Sequence, residues 1–519
     1  MIKAKADADV ARRLLSFVFF GAVALTVWPL CTARYLPIED LPQHLAAIRV
    51  LHSYHDPRFD FVRYFERDLF GTQYLAYYVL ADGLAYLVDL ELGNRMIVVA
   101  CAMATPYALR YLLRALGRAE WPALFALPLT YNAHLILGFV NFLMAIPLAL
   151  FGLGLAVRQL RAPSRARAVA LACVALLGFF SHVVPFALFA LGCGLIALER
   201  DPRRVLVRLA PLLPAGIASV LWLWRSPAGR ATLTAATGGA AGPQPQFQAA
   251  AFSLRDMPNW LTDTFHGDGD SLVLQGTALV LVATVLLGLG WGLWRRAGRE
   301  GAPAAGGLSE SARAAPVVRL LPLAPLALLL YFVAPSAYAW IWPIAQRFPL
   351  LAVLFLIPVL PAPPRAAALL LSCALLALTV AEQRLVTHAF AEFDAHEVGD
   401  FDAALAAIPP RKRVMGLIYA RGSQQVKFAP FIHYVAYYQA RKGGAVMFTF
   451  ADFPQSPFRF REDNRPPRVQ PRWEWLPQLV RPRDLTWYEY VLVRAGPSPC
   501  AHECTAVHRG NLWSVWQIH

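Results

Sequence analysis

Residues 35–56 read YLPIEDLPQHLAAIRVLHSYHD and follow directly on the first long apolar run of the chain, residues 14–30. Glu39 and Asp40 therefore fall where a chain leaving a lipid bilayer re-enters water. A short amphipathic helix begins just after them, with Leu41, Leu45 and Ile48 on one face and His44 one turn beyond Asp40. In a soluble protein Asp40 would be read as a helix N-cap, with Gln43 completing a capping box. At a membrane surface the same carboxylate is also placed for chemistry on a lipid-borne substrate. The two readings are compatible, because capping occupies only one carboxylate oxygen.

Composition bears out the membrane setting. The 519 residues are 57% hydrophobic and 16% charged, against about 25% charged in average soluble proteins. The chain reads as an α-helical polytopic membrane protein. Its net charge of +15 sits mostly as arginine clusters between apolar runs, the distribution expected of cytoplasmic loops. Basic residues interleaved with aromatics along one groove are absent, which argues against nucleic acid as a partner. Only five of the 48 basic residues are Lys. That bias fits a GC-rich bacterial genome and hence a bacterial inner (cytoplasmic) membrane.

Lys3, Lys5, Arg12 and Arg13 precede the first apolar run. Cys31-Thr32-Ala33 loosely resembles a signal-peptide cleavage site, but the many apolar runs downstream favour a retained helix with its N-terminus inside. Residues 70–92 are apolar enough to suggest a span, yet they contain Asp82, Asp89, Glu91 and several tyrosines. If they crossed, the cluster Arg110, Arg114 and Arg118 would fall outside, and later clusters would invert too. An interfacial position for 70–92 keeps every cluster inside. Further spans are expected at 95–113, 121–137, 139–157, 167–181, 183–198, 205–224, 271–294, 317–335, 348–361 and 366–382. With the first run this makes about 11 crossings.

The transmembrane domain is thus residues 1–382, with a first outer loop at 34–94, a second at 225–270 and a Gly/Pro/Ala-rich cytoplasmic linker at 298–316. Residues 383–519 form a small extracytoplasmic α/β domain. Strands are expected at 414–419, 490–494 and 512–518, and an amphipathic helix over 427–441 stops at Gly443-Gly444. Tyr434, Tyr437 and Tyr438 either offer rings to a sugar or headgroup or pack on the sheet. Cys500 and Cys504 can pair if the tail is outside; a Cys–His metal site with His502 or His508 is the weaker reading. In the second loop GDGD (267–270) recurs in calcium loops, but the pattern lacks their closing Glu and reads as a polar turn.

Most expected spans carry no charged residue in the middle, which argues against an ion-driven transporter. Polarity gathers instead at the outer ends: Asp40, His44, Asn132, His134, Asn141, His182, Arg225 and Arg347. Trp260 and His266 add candidate substrate contacts in the second loop. Serine-nucleophile, P-loop, GxGxxG and paired CxxC motifs are absent. One carboxylate and one cation suffice for glycosyl transfer from a polyprenyl-phosphate sugar: Asp40 or Glu39 takes the acceptor's proton, with His44 as neighbour. Arg347 in AWIWPIAQRFPLL stabilises the departing phosphate or, on the plainer reading, snorkels to headgroups.

ED-LPQH at Glu39–His44 resembles the acidic first-loop motif of the GT-C integral-membrane glycosyltransferases. QRFP at 346–349 resembles their late-loop arginine segment, and the overall layout is similar. The resemblance implies a lipid-phosphate-linked sugar donor, inversion at the anomeric carbon, and a glycan, lipid or protein acceptor on the outer face. The oligosaccharyltransferase WWD-type signature is missing, and the first-loop acid is followed by His, so sugar, acceptor and a divalent ion at Asp40 stay open. Two other readings use the same features: a non-catalytic assembly or export factor for envelope polysaccharide, and a polymerase or ligase acting through outer-loop Arg and His.

Overall fold

A computed structural model describes residues 2–236, 244–297, 315–467, 471–500 and 503–519. It is mostly helical. Six helices are long and apolar enough to cross a membrane: Leu90–Leu116, Val140–Arg161, Pro202–Arg225, Gly269–Arg295, Ala315–Val333 and Arg365–Glu397. The first helix, Ile2–Thr32, packs into the bundle, where the Tyr131 hydroxyl donates to Thr26 O at 2.8 Å. Pro202–Arg225 is the opposite case: Ala215 is its only buried residue, so nearly its whole apolar surface faces outward. The expected linker lies, for residues 298–314, outside the described residues.

Residues 70–92 hold an 11-residue helix, Leu75–Ala85, short of the ~20 residues a bilayer needs. Asp89 then caps Leu90–Leu116, its carboxylate accepting from Glu91 N and Leu92 N. The expected span at 121–137 is overturned. Trp121–Ala126 is a 3-10 turn, and a five-residue helix, Ala133–Leu137, follows a break. Pro122 and Pro128 interrupt the backbone ladder. Asn132 caps the short helix, and Gly138 ends it at φ 87°. The segment is almost wholly buried: it is core, not span. Residues 167–198 form two helices, Arg165–Ser181 and Val183–Ala197, broken at His182, and neither is of membrane length.

Seven strands are described: β1 (Phe65–Arg67), β2 (Arg413–Ile418), β3 (Ala445–Val446), β4 (Phe458–Phe460), β5 (Tyr490–Arg494), β6 (Cys504–Arg509) and β7 (Trp513–Ile518). Five form one sheet in the order β3-β2-β5-β7-β6. β2 runs parallel to β3 and β5, while β7 is antiparallel to both β5 and β6. β2 and β5 are buried on both faces, which is why they read as unbroken apolar runs. The helix expected over 427–441 is confined to Ala436–Lys442. Upstream, the backbone instead bridges the second outer loop, with Phe265 paired to Val426 and Lys427 N donating to Thr264 O.

The tail is not a separate appendage. β1, from the first outer loop, pairs antiparallel with β4 of the tail. Arg441 forks onto Glu91, Nε to Oε1 at 2.6 Å and Nη2 to Oε2 at 3.0 Å. Arg365–Glu397 runs unbroken across residue 382, and its Asp394 carboxylate accepts from Arg34 N and Tyr35 N. Consequently one apolar core mixes first-loop residues such as Tyr35, Ile48 and Phe65 with tail residues such as Phe401, Tyr434 and Trp513. Tyr434, Tyr437 and Tyr438 are all buried there, as packing residues.

Candidate active site

The first loop and the tail meet over a cavity of about 280 Å³ whose walls include Asp40, His182, Arg347, His433 and Glu474. Its floor is built by backbone pairing. Glu39 N and Asp40 N donate to Ile136 O and Leu137 O at 2.9 and 3.1 Å, fixing the two acids against the buried 133–137 helix. Gly138 makes that approach feasible, because a Cβ there would lie 2.9 Å from both Asp40 N and Asp40 Cβ. His44 locks the corner. Its Nε2 contacts Gly138 O and its Nδ1 the Tyr78 hydroxyl, each at 3.0 Å. Both ring nitrogens are thus occupied, and burial pushes its pKa down to about 4. His44 is a neutral strut that positions Asp40, and it is not placed to exchange protons with a substrate.

Asp40 occupies the N-cap position of Leu41–His52 but makes no side-chain capping bond. Gln43 does not complete a box; its amide donates to Phe448 O. The Asp40 carboxylate turns instead to His433, with Nε2 to Oδ1 at 3.2 Å, and the other face of that imidazole meets Glu474 Oε1 at 2.8 Å. Phe448 stacks on the ring at 5.6 Å. Burial opposes charge on His433, but Glu474 and Asp40 together outweigh it and hold the imidazole well above its ordinary value. Glu474 is itself raised by burial, which His433 partly offsets. The arrangement keeps an imidazolium between two carboxylates, and among the described residues the contact falls on Asp40 Oδ1 and not on Oδ2.

Glu39 has a different environment. Its Oε2 accepts from Ala429 N at 3.0 Å, and burial and the adjacent Asp40 raise its pKa to about 7. Across the cavity Arg347 ends a 3-10 turn, Ala345–Arg347. It is 7% exposed and lies over the rings of Phe139 and Phe142 at 5.4 and 5.9 Å. That burial replaces the snorkelling alternative. His182 Nδ1 accepts from Val184 N, so the neutral ring carries its hydrogen on Nε2. Arg347 Nε, His182 Nε2, Asn141 Oδ1, Trp340 Nε1 and Gln455 Oε1 are buried without a hydrogen-bond partner among the described residues, and all five residues line this cavity. Buried polar atoms rarely stay unpaired, so the cluster calls for a polar ligand.

Other expected site residues lie elsewhere. Arg225 and His266 are exposed and do not line the cavity. Trp260 supports it from behind, its indole meeting Trp342 at 5.8 Å while its Nε1 donates to Asp256. Asp270 accepts from Thr264 N and Phe265 N, as a polar turn requires. Among the described residues no three His, Cys, Asp or Glu side chains are grouped to hold a metal ion.

Sequence reasoning missed His433 and Glu474. The usable signal for Glu474 was a single acid between two tryptophans in PRWEWLP, and His433 lay hidden in an aromatic run. Compared with known proteins, the chain matches no family model, and no curated protein matches it significantly.

Proposed function

We propose that this chain is an integral-membrane glycosyltransferase that moves a sugar from a polyprenyl-phosphate donor to a glycan, lipid or protein acceptor of the cell envelope. The observation that carries the reading is one cavity with a supported carboxylate on one wall and, on the other, a buried guanidinium whose Nε has no hydrogen-bond partner among the described residues. Asp40 Oδ2 accepts the proton of the acceptor hydroxyl as that oxygen bonds to the anomeric carbon. The bond from that carbon to the phosphate oxygen breaks on the opposite side, and the configuration inverts. The departing polyprenyl phosphate keeps the electron pair. Arg347 and His182 Nε2–H donate to it, so no acid is needed. The imidazolium of His433 holds Asp40 in place.

The reading also carries the orientation: a bacterial inner membrane crossed an odd number of times, with the N-terminus inside and the first loop and the tail together outside. Asp40→Asn is the direct test, because no capping bond is lost with it. Release of polyprenyl phosphate from a polyprenyl-phosphate sugar, measured on purified protein in lipid nanodiscs, is expected to fall about 10²- to 10⁴-fold. Turnover at the parent rate by folded Asp40→Asn protein would reject Asp40 as the base, and no release of polyprenyl phosphate by the parent protein would reject the enzyme and favour an assembly factor.

A further inference from the structure

A second depression, about 820 Å³, adjoins the cavity and shares Glu39, Leu137, Trp342 and Trp475 with it. The tail supplies most of its wall, including Tyr419, Arg421 and Lys427. Three features give this cleft a chemistry. Trp342 and Trp475 are large rings left 51% and 45% exposed. Indole faces of this kind take the C–H face of a sugar ring. Arg421 lies over Trp475, its guanidinium carbon 5.2 Å from the ring centre, and commits only Nη1, to Trp475 O at 3.0 Å. Among the described residues, no side-chain bond of its other nitrogens accompanies that one. Lys427, by contrast, is neutralised by Asp263 at 2.6 Å. The cleft therefore offers aromatic platforms and one available fork for an anion.

We infer that this cleft binds a saccharide carrying an acidic substituent, held by ring stacking on Trp475 and Trp342 and by Arg421 on its carboxylate or phosphate. The inference rests on the proposed glycosyl transfer only in making that saccharide the acceptor. A chain lying in the cleft reaches the cavity at Glu39, beside Asp40, so its terminal hydroxyl arrives where the proposed base stands. Neutral sugars stack equally well but leave Arg421 without an anion, and the acid is what the cleft selects.

Calorimetric titration of the full chain in nanodiscs with tri-galacturonate and with maltotriose tests this. Tri-galacturonate is expected to bind at least tenfold more tightly than maltotriose. Arg421→Gln should remove about that tenfold preference, Arg421→Lys should retain part of it, and Trp475→Ala should weaken both sugars. Asp40→Asn should bind tri-galacturonate like the parent while failing to transfer. Equal affinity for the two sugars, no measurable binding, or an unchanged preference in Arg421→Gln protein with the parent melting temperature would overturn the inference. Those results leave the Asp40 transfer test untouched, and normal transfer by Asp40→Asn leaves a positive binding result standing.

Discussion

Glu39 and Asp40 are neighbours in the chain with different surroundings. Asp40 faces an imidazolium, whereas Glu39 is buried against a backbone N–H and shifted up to about 7 from 4.5. The folded protein therefore keeps a proton that the unfolded chain gives up. Glu39's contribution to stability is complete below pH 4.5 and is lost as the pH rises through 7. Glu39→Gln can still accept from Ala429 N and does not ionise. It should match the parent near pH 4.5 and be more stable at pH 8, on the order of 1–3 kcal/mol, as read from thermal melts at the two pH values. Arg347 makes a separate prediction. Lys keeps the charge but not the fork, so Arg347→Lys should transfer sugar slowly. Arg347→Gln should lose roughly 2–4 kcal/mol of transition-state stabilisation, measured as turnover on folded protein. Asp40 and Arg347 were legible because each marks the edge of an apolar run. His433 and Glu474 were not, because their role depends on a contact across most of the chain.

The element on which the site rests, the buried 133–137 helix, shows why hydropathy misjudged part of the bundle. A segment apolar on every side satisfies lipid and protein core equally, so 121–137 looked like a span until its neighbours were known. The cap at Asn132 and the stop at Gly138 were visible as residue types, but their meaning depended on that surrounding. Gly138 gives this a measurable form. At φ 87° with Asp40 at van der Waals limit, Gly138→Ala adds both strain and a clash, expected to cost about 1–3 kcal/mol and to lower turnover by displacing Asp40. Gly267 has φ 88° and nothing within 4 Å of an added Cβ. Gly267→Ala should show the backbone penalty alone, about 1 kcal/mol, with turnover intact. Melting and turnover assays on the pair separate strain from displacement.

At the scale of the whole molecule, the first loop and the tail share one core and must lie on the same side of any membrane. Leu87, 79% exposed just before Leu90–Leu116, should as Leu87→Cys react with an impermeant thiol reagent added from outside intact cells. Reaction only from the cytoplasmic side would reverse the proposed orientation. The tail carries a Cys500–Cys504 disulfide, so alkylation of native protein should leave both unlabelled until a reductant is added. Of the three expected tail strands, β2 and β5 were readable as short apolar runs and β7 from its alternation. β3, β4 and β6 were not, being either two or three residues long or split by charge. The joined core also has a consequence in time. Glu39 and its partner Ala429 are 390 residues apart, which at roughly 5–20 residues per second of synthesis is about 20–80 s. Through that interval a nascent chain already inserted in the membrane exposes its first acidic pair without His433 beside it. Only translation of nearly the last fifth of the message closes the constellation, so a prematurely terminated product carries the bundle without the site.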